Sequence, residues 1–411
     1  MKKVFGLLVS ACLLASATAC SGGSQSTSGG ESKEISMWAY EPESKQNRAK
    51  LEDLTEKFEQ ENDVDVKITF IPKDNFNTKL NSSIAAGKNP DVAYLDQPLL
   101  AQFAKDGVLL NIDKYANGEN GINKDEFFQG AFETAQYDGK LYGLPMNQTT
   151  VALFYNKDLM PEPPKTWDEW VEKSKAIYKK NEIAAFEGLG TGGWAAWLFP
   201  ALVHGAGGTM VNEDATAAAF GEKAGVESLE LMNELKNYSD KSVVESQNAF
   251  GNGLVATKIS GAWEIGGFET NFPNLNFGVA LIPSKDGKSY SNIGGENLVV
   301  FKNSENGEDS YELIRYLTNE ENALTISDIT GNFPVRKSAA DNPKFSENEH
   351  LSVFLKQLET SVARPAITNW LKINDEVIGK AIDEVLVSGK SAEDTLKTAQ
   401  GKANNLIKSG K

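Results

Sequence analysis

The chain has 411 residues, with 57 Asp and Glu against 41 Lys and Arg and a formal net charge of −16 at pH 7. So acidic a surface excludes nucleic acid, or an anionic membrane reached by charge alone, as partners. Two Cys and two well-separated His, His204 and His350, exclude a disulfide framework and the usual zinc and iron ligand sets, so neither a metal nor a cofactor is expected.

In chain order the first element is Met1-Lys2-Lys3, an apolar run from Val4 to Leu14, small residues Ala15 to Ala19, and then Cys20. A basic start, a hydrophobic middle and a small-residue cleavage site make residues 1–19 an export signal. Its roughly 16 apolar or small residues fall short of the ~20 needed to span a bilayer. Ala17-Thr18-Ala19-Cys20 resembles a bacterial lipobox, with Ala17 where Leu is usual. That resemblance implies that Cys20 becomes the first mature residue and carries a diacylglycerol, since two acyl chains anchor stably where one does not. Residues 20–34 read as a lipidated Cys and a Gly/Ser-rich tether that cannot build a core. Cys12 leaves with the signal, so the mature body keeps Cys20 alone. Loss of Lys2 and Lys3 takes the charge from −16 to −18.

Beyond the tether, strands and helices alternate. Ile35–Tyr40 reads as a strand, Asn47–Glu61 as a helix with Leu51, Leu54 and Phe58 on one face, and Val64–Ile71 as an alternating strand. Asn75–Gly87 is helical to a Gly stop, Asp91–Leu95 is a short buried strand, and Leu99–Lys105 is a helix. Strands separated by such helices imply βαβ units and a parallel sheet, whose ligands bind beyond the carboxyl ends of the strands. That rule points at Trp38 to Glu41 and at Asp96-Gln97. From Lys140 come two strand-like runs, 140–146 and 149–156, then a helix from Trp167 to Lys180 with Thr166 and Glu169 at capping-box spacing. A glycine-rich turn, 188–193, opens Trp194-Ala-Ala-Trp197. A helix follows over 223–237, strands over 255–263, 277–282 and 297–301, and helices over 310–325 and 374–407.

Catalytic motifs fail on their context. Gly188-Leu-Gly190-Thr-Gly192-Gly193 matches G-x-G-x-x-G, but lacks the strand that a dinucleotide site requires. Gly-Lys-Ser at 287–289 and 389–391 has Ile282 and Glu384 where a P-loop needs Gly. Neither G-x-S-x-G nor H-E-x-x-H occurs. The seven Trp are more telling. Trp167 and Trp170 share one helix and read as packing. Trp38, Trp194, Trp197, Trp263 and Trp370 sit at element ends, where binding groups collect. An aromatic face there offers a platform to the C–H face of a sugar ring, while carboxylates and amides take its hydroxyls.

Over the whole mature length the chain resembles extracellular solute-binding protein family 1, the sugar-binding lipoproteins of bacterial ABC importers related to maltose-binding protein. The segments that carry the resemblance are Ile35–Tyr40, Gly87-Lys-Asn-Pro-Asp-Val-Ala-Tyr94, Tyr142-Gly-Leu-Pro145, Phe154-Tyr-Asn-Lys-Asp-Leu159, Pro164-Lys-Thr-Trp-Asp-Glu-Trp170, Lys258-Ile-Ser-Gly-Ala-Trp263 and Gly294-Gly295. The resemblance implies an α/β, two-lobed, type II periplasmic-binding-protein-like fold with a hinge crossed three times, near 146–150, 260–263 and 301–305. Lobe 1 would be 35–147 plus 262–303, and lobe 2 148–261 plus 304–411. The solute lies in the cleft, and closure on it is what the permease reads.

Carried over by position, Trp263 and Trp370 match stacking aromatics, and Trp194 falls near a third. Trp38, Tyr40 and Glu41 match the first strand's binding loop. Asp96 matches a hydroxyl-binding acid, and Glu296, Asn147, Gln148 and Arg336 are further candidates. Leu95 departs from the aromatic that the maltose binder has, which leaves the sugar open. The expected protein is a non-enzymatic, monomeric receptor held by its lipid on the extracellular face of the membrane. It takes an oligosaccharide and hands it to ABC permease subunits. A receptor for a non-sugar solute and an exported glycoside hydrolase are the alternatives.

Overall fold

The computed structural model describes residues 33–42, 44–118, 121–187 and 192–410. The expected signal, Cys20 and the tether up to Ser32 lie outside the described residues. The chain enters as β1 (Lys33–Tyr40), followed by α1 (Lys45–Asn62), β2 (Val64–Ile71), α2 (Lys73–Ala85) and β3 (Val92–Asp96). Ser44 starts α1 by accepting the Asn47 N–H at 3.0 Å, as an N-cap does. β1 pairs in parallel with β2 along its whole length and with β3 at Met37 and Trp38. After β4 (Gly143–Pro145) the chain leaves this sheet.

A second group contains β5 (Val151–Asn156), α3 (Trp167–Ile177), β6 (Ala184–Glu187), α4 (Gly193–Gly205), α5 (Lys223–Lys236), β7 (Val255–Gly261) and β8 (Phe277–Ala280). Then β9 (Glu296–Val300), α6 (Gly307–Leu317) and α7 (Glu320–Thr330) return to the first, and α8 (Leu351–Glu359), α9 (Gly379–Leu386) and α10 (Ala392–Ser409) finish the second. The strand orders are β2-β1-β3-β9-β4 and β8-β5-β7-β6. β9 runs antiparallel to both of its neighbours. The fold is thus α/β and two-lobed, as expected.

The cores explain the pattern. On β1, Ile35, Met37 and Ala39 are fully buried in the first core, with Phe58, Phe76, Leu298 and Leu313. The second sheet is covered on both faces. Val151 and Leu153 of β5 enter one core with Phe199 and Ile378, whereas Ala152 and Phe154 enter another with Phe250, Phe268 and Phe354. Burial on both faces is why 151–154 reads as an unbroken apolar run rather than an alternation.

Packing divides the chain differently from the expected lobe boundaries. Residues 262–280, placed in lobe 1, belong to the second group: Phe268 and Phe277 pack on Phe154, and β8 pairs with β5. Residues 307–330, placed in lobe 2, belong to the first group, where Tyr311, Leu317, Ile326 and Ile329 join the first core.

Two of the three expected crossings move accordingly. The first passage from one sheet to the other runs through 146–150, between β4 and β5. Gly261, however, still pairs with Val151 inside the second sheet, and Phe301 donates its N–H to Asp91 in the first lobe. The chain crosses instead near 291–296 and 331–336. There the three segments lie side by side. Gln148 exchanges backbone bonds with Phe333 at 3.0 and 2.8 Å, and Thr149 exchanges two with Gly294 at 2.9 Å. Asn147 donates to Glu296 at 2.8 Å and accepts from Asn332 at 3.0 Å, so one carboxamide ties all three. Gly295 has φ +131, and a Cβ there would lie 2.4 Å from the Asn147 carbonyl oxygen. Only glycine lets the first two crossings approach so closely.

Two long helices are also interrupted. The stretch 310–325 splits because Asn319 caps α7 by accepting from Asn322 N–H at 2.8 Å. The stretch 374–407 splits before Ser391, which caps α10.

Candidate functional site

The carboxyl edge of the first sheet gathers one set of groups. Alternation along β1 turns Trp38 and Tyr40 away from the side of Met37 and Ala39. Tyr40 packs edge-on against Phe76 at 4.7 Å and Tyr94 at 5.5 Å, and the Lys73 ammonium lies 5.2 Å from its ring centre. Burial, then the charges of Glu296 and Asp96, push the Tyr40 phenol well above its ordinary pKa, so it is a neutral donor at any physiological pH. Lys79 lies 5.0 Å from the Trp38 ring centre.

Asp96 and Glu296 face each other in register across β3 and β9. Glu296 is buried and accepts from Asn147 at 2.8 Å and from Lys73 at 3.2 Å. Asp96 accepts from Arg364 at 3.0 Å, a bond from the second lobe to the first. Around this pair, both amide atoms of Gln97, the Tyr94 hydroxyl, Arg364 Nε and Trp370 Nε1 are buried without a partner among the described residues. Buried polar atoms are normally satisfied, so such a cluster is what a polar ligand or water completes.

The carboxyl ends of β6 and β7 build the second set. Lys258 on β7 pairs with Glu187 at the end of β6 at 3.0 Å and with Glu264 at 3.1 Å. Ser260 donates to Glu264 at 2.9 Å. Burial works against the ammonium charge, but the two carboxylates outweigh it and the Lys258 pKa is raised. Trp263 is 53% exposed. Its ring lies across Gly261, where a Cβ would come within 1.9 Å of it, so the Ser-Gly-Ala-Trp sequence is what lets the indole lie flat at the strand end. Trp194 stacks on Trp197 at 5.3 Å with the planes 2° apart. Trp194, Trp263, Glu187, Lys258 and Glu264 line a cavity of about 690 Å³, within the ~300–1,000 Å³ of small-molecule sites.

The expected site residues therefore fall into three groups. Trp38, Tyr40, Asp96 and Glu296 come together on the first lobe, and Trp194 and Trp263 on the second. Asn147 and Gln148 are buried hinge groups, with Gln148 donating to the Pro334 carbonyl at 2.8 Å. Arg336 and Glu41 lie outside these sets, and Trp370 borders the first only through its buried Nε1. Trp370 is 1% exposed and belongs to the second core, so it presents no stacking face. Arg336 is buried in the first lobe, with Nε on the Thr318 carbonyl at 2.9 Å, an ion pair to Glu126, and its guanidinium 4.0 Å from the Phe127 ring centre. Glu41 is exposed and pairs with Arg48 at 3.3 Å.

Glu187, Lys258, Glu264 and Arg364 were not expected. Glu187 ends a four-residue strand, so the rule that singled out Asp96 finds it once 184–187 is read as a strand. Lys258 is a charge inside the apolar run Val255–Ile259. Arg364 carries no local signal, because its partner lies 268 positions away. Among the described residues no group of three or more His, Cys, Asp or Glu could hold a metal ion, and no helix is long and apolar enough to cross a membrane.

A family model described as bacterial extracellular solute-binding protein matches residues 53–353. The maltodextrin-binding protein MdxE of Bacillus subtilis is 26% identical over 427 residues, covering 99% of this chain and 97% of that protein. Among solved structures, the cyclic α-maltosyl-1,6-maltose-binding protein of Arthrobacter globiformis superposes with a TM-score of 0.79 at 25% identity, over 92% of this chain and 99% of that one. The sugar-binding protein MalE of Xanthomonas citri gives 0.81 at 24% identity, over 92% and 98%, a likeness of fold.

Proposed function

This chain belongs to the family of bacterial extracellular solute-binding proteins, and from that premise we propose that it is the lipid-anchored receptor of a carbohydrate ABC importer. It captures an oligosaccharide between its closing lobes and delivers it to the permease. The observation that carries this reading is the exposed Trp263 ring laid across Gly261 beside Glu264 and Trp194. The indole faces take the C–H faces of pyranose rings. Glu264, Asp96 and Glu296, each already engaged by a cation or a donor, serve as acceptors for sugar hydroxyls. Trp38 and Tyr40 complete the first-lobe wall. Relatives named for maltodextrin and galactooligosaccharide support the substrate class.

The protein performs binding and release without covalent chemistry. Closure is a hinge motion over the three paired crossings, and the closed form is the one the permease recognises. Cys20 carries the lipid, and the tether keeps a monomeric receptor beside its transporter. Calorimetry and thermal-shift titration across mono- and oligosaccharides test the reading: a carbohydrate raises the melting temperature and is recovered uncleaved. A charged solute that does so while no carbohydrate does overturns the sugar assignment, and a cleavage product overturns the non-enzymatic one. Cys20→Ser releases a folded, sugar-competent protein into the medium; retention at the membrane overturns the anchor.

A further inference from the structure

The glycine-rich turn that opens α4 fits no nucleotide motif, but its last two residues have partners in the final helices of the second lobe. Gly192 has φ +72, a conformation that favours glycine, and donates its N–H to Asp383 at 3.1 Å. Asp375 Oδ1 stands 3.5 Å from the position a Cβ on Gly193 would take, and Asn374 donates to the same oxygen at 2.8 Å. Between the two acids, a Cβ on Gly379 would lie 3.3 Å from the Gly192 carbonyl, so the two backbones pass in near contact. Asp375, Gly379 and Asp383 recur every four residues and share one helix face. The chain enters that face through a π-helical turn, Ile373–Ile378, just before α9. Such wide turns are rare and recur at functional sites.

This face sets the start of α4. Two carboxylates at a helix N-terminus complement its macrodipole, and the Asp383 bond takes up a donor that the helix itself leaves open. Trp194 is the second residue of α4, so its aim follows from how Gly192 and Gly193 are held. Its other support is Trp197, stacked at 5.3 Å with the planes 2° apart. Trp197 is itself fixed at the hinge, where Asn292 donates to its carbonyl. The indole pair is thus held at both ends while Trp194 stays 36% exposed. Ordering a free side chain on binding costs affinity, and a side chain already held escapes that cost.

We propose that Asp383 and Asp375 are positioning residues, which hold the glycine turn so that Trp194 presents a preset face to a sugar ring. The inference rests on the receptor reading above and adds to it the groups that preorganise its second-lobe platform. Neither acid lines the cavity beside Trp194, so both act through the indole and not on the ligand.

Fluorotryptophan labelling of the mature protein gives a fluorine NMR signal for each of the seven Trp, assigned by its loss in single Trp→Phe variants. Asp383→Ala should shift and broaden the Trp194 and Trp197 signals and leave those of Trp38 and Trp167 in place. Asp383→Asn, whose carboxamide oxygen still accepts the Gly192 N–H, should keep the parent positions. Asp375→Ala, at an exposed position that folding tolerates, should move the same two signals. Calorimetry with linear gluco- and galacto-oligosaccharides of two to four rings reads the consequence. Asp383→Ala should weaken the series that binds about fivefold, within the range that one aromatic contact implies. In the Trp194→Ala background it should weaken it no further. A Trp194 signal unmoved in both Ala variants, or an equal loss of affinity in both backgrounds, overturns the positioning role while the sugar reading stands. Absence of binding by every carbohydrate overturns the sugar reading, and the NMR signals then decide the positioning by themselves.

Discussion

Lys258→Met is the most informative single change, because one ammonium holds two carboxylates. Its contacts are 3.0 Å to Glu187 and 3.1 Å to Glu264, and the three side chains are 17%, 21% and 25% exposed. Stripping a partner from a fully buried pair costs about 3–5 kcal/mol, and from an exposed pair about 0–1. At a fifth to a quarter exposure, about 2–3 kcal/mol is the expected loss. A second estimate agrees: two carboxylate oxygens no more than roughly 6 Å apart repel by about 3 kcal/mol at an effective dielectric constant near 20. Unfolding entropy near 2.1 cal/mol/K per residue over roughly 380 residues converts that loss to a fall of about 3–4 °C in melting temperature. Differential scanning calorimetry in low salt, without ligand, measures it. The Glu187→Gln, Lys258→Met, Glu264→Gln triple variant should recover most of the loss, because it removes the stranded charges. A shift below ~1 °C for the single variant, or no recovery in the triple, would show that solvent already screens the cluster.

Trp263→Ala should raise the dissociation constant for the bound sugar by roughly 30-fold or more, as a stacking anchor does. The unliganded melting temperature should stay within about 1 °C, and unchanged affinity would reduce the ring to surface packing. Gly295→Ala should destabilise by about 2–4 kcal/mol in urea melts, since its φ of +131 and the nearby Asn147 carbonyl leave a Cβ no place; a loss under ~1 kcal/mol would mean that the crossings separate readily. His204 and His350 both have pKa values lowered by burial from 6.5. The unfolded chain therefore binds their protons first, and stability should fall as the pH drops below about 6.5. His204→Gln should flatten that slope in pH-resolved thermal melts, and an unaltered slope would assign it to other groups.

Much of the fold could be read from the sequence because its signals are local. Alternation over 64–71, the apolar run of 151–156 and the Thr166 cap each depend on a few neighbouring residues, and each yields the expected element. The lobe boundaries depend on partners hundreds of positions apart. Leu313 and Ile326 have the same amphipathic texture whichever sheet they cover, so nothing near them says that α6 and α7 return to the first lobe. Gly294-Gly295 was visible as a site but not as a crossing, since the reason for glycine is the approach of Asn147. The tryptophans divide in the same way. Trp263 is turned outward by Gly261, two residues before it, and was legible. Trp370 stands at an equally turn-rich place, but the helices after it close over the ring.

The place of β9 has a consequence for how the molecule is made. It lies between β3 and β4, so a growing chain of 290 residues holds four strands of the first sheet but lacks the one that joins them. The second lobe waits longer still, because its core needs Leu396, Ala403 and Ile407 from the last helix. Neither half can complete its core until synthesis is nearly finished, and the large sequence separations slow closure further. A chain arranged in this order completes its two cores late and in succession, the first once Val335 has been made and the second only with Ile407.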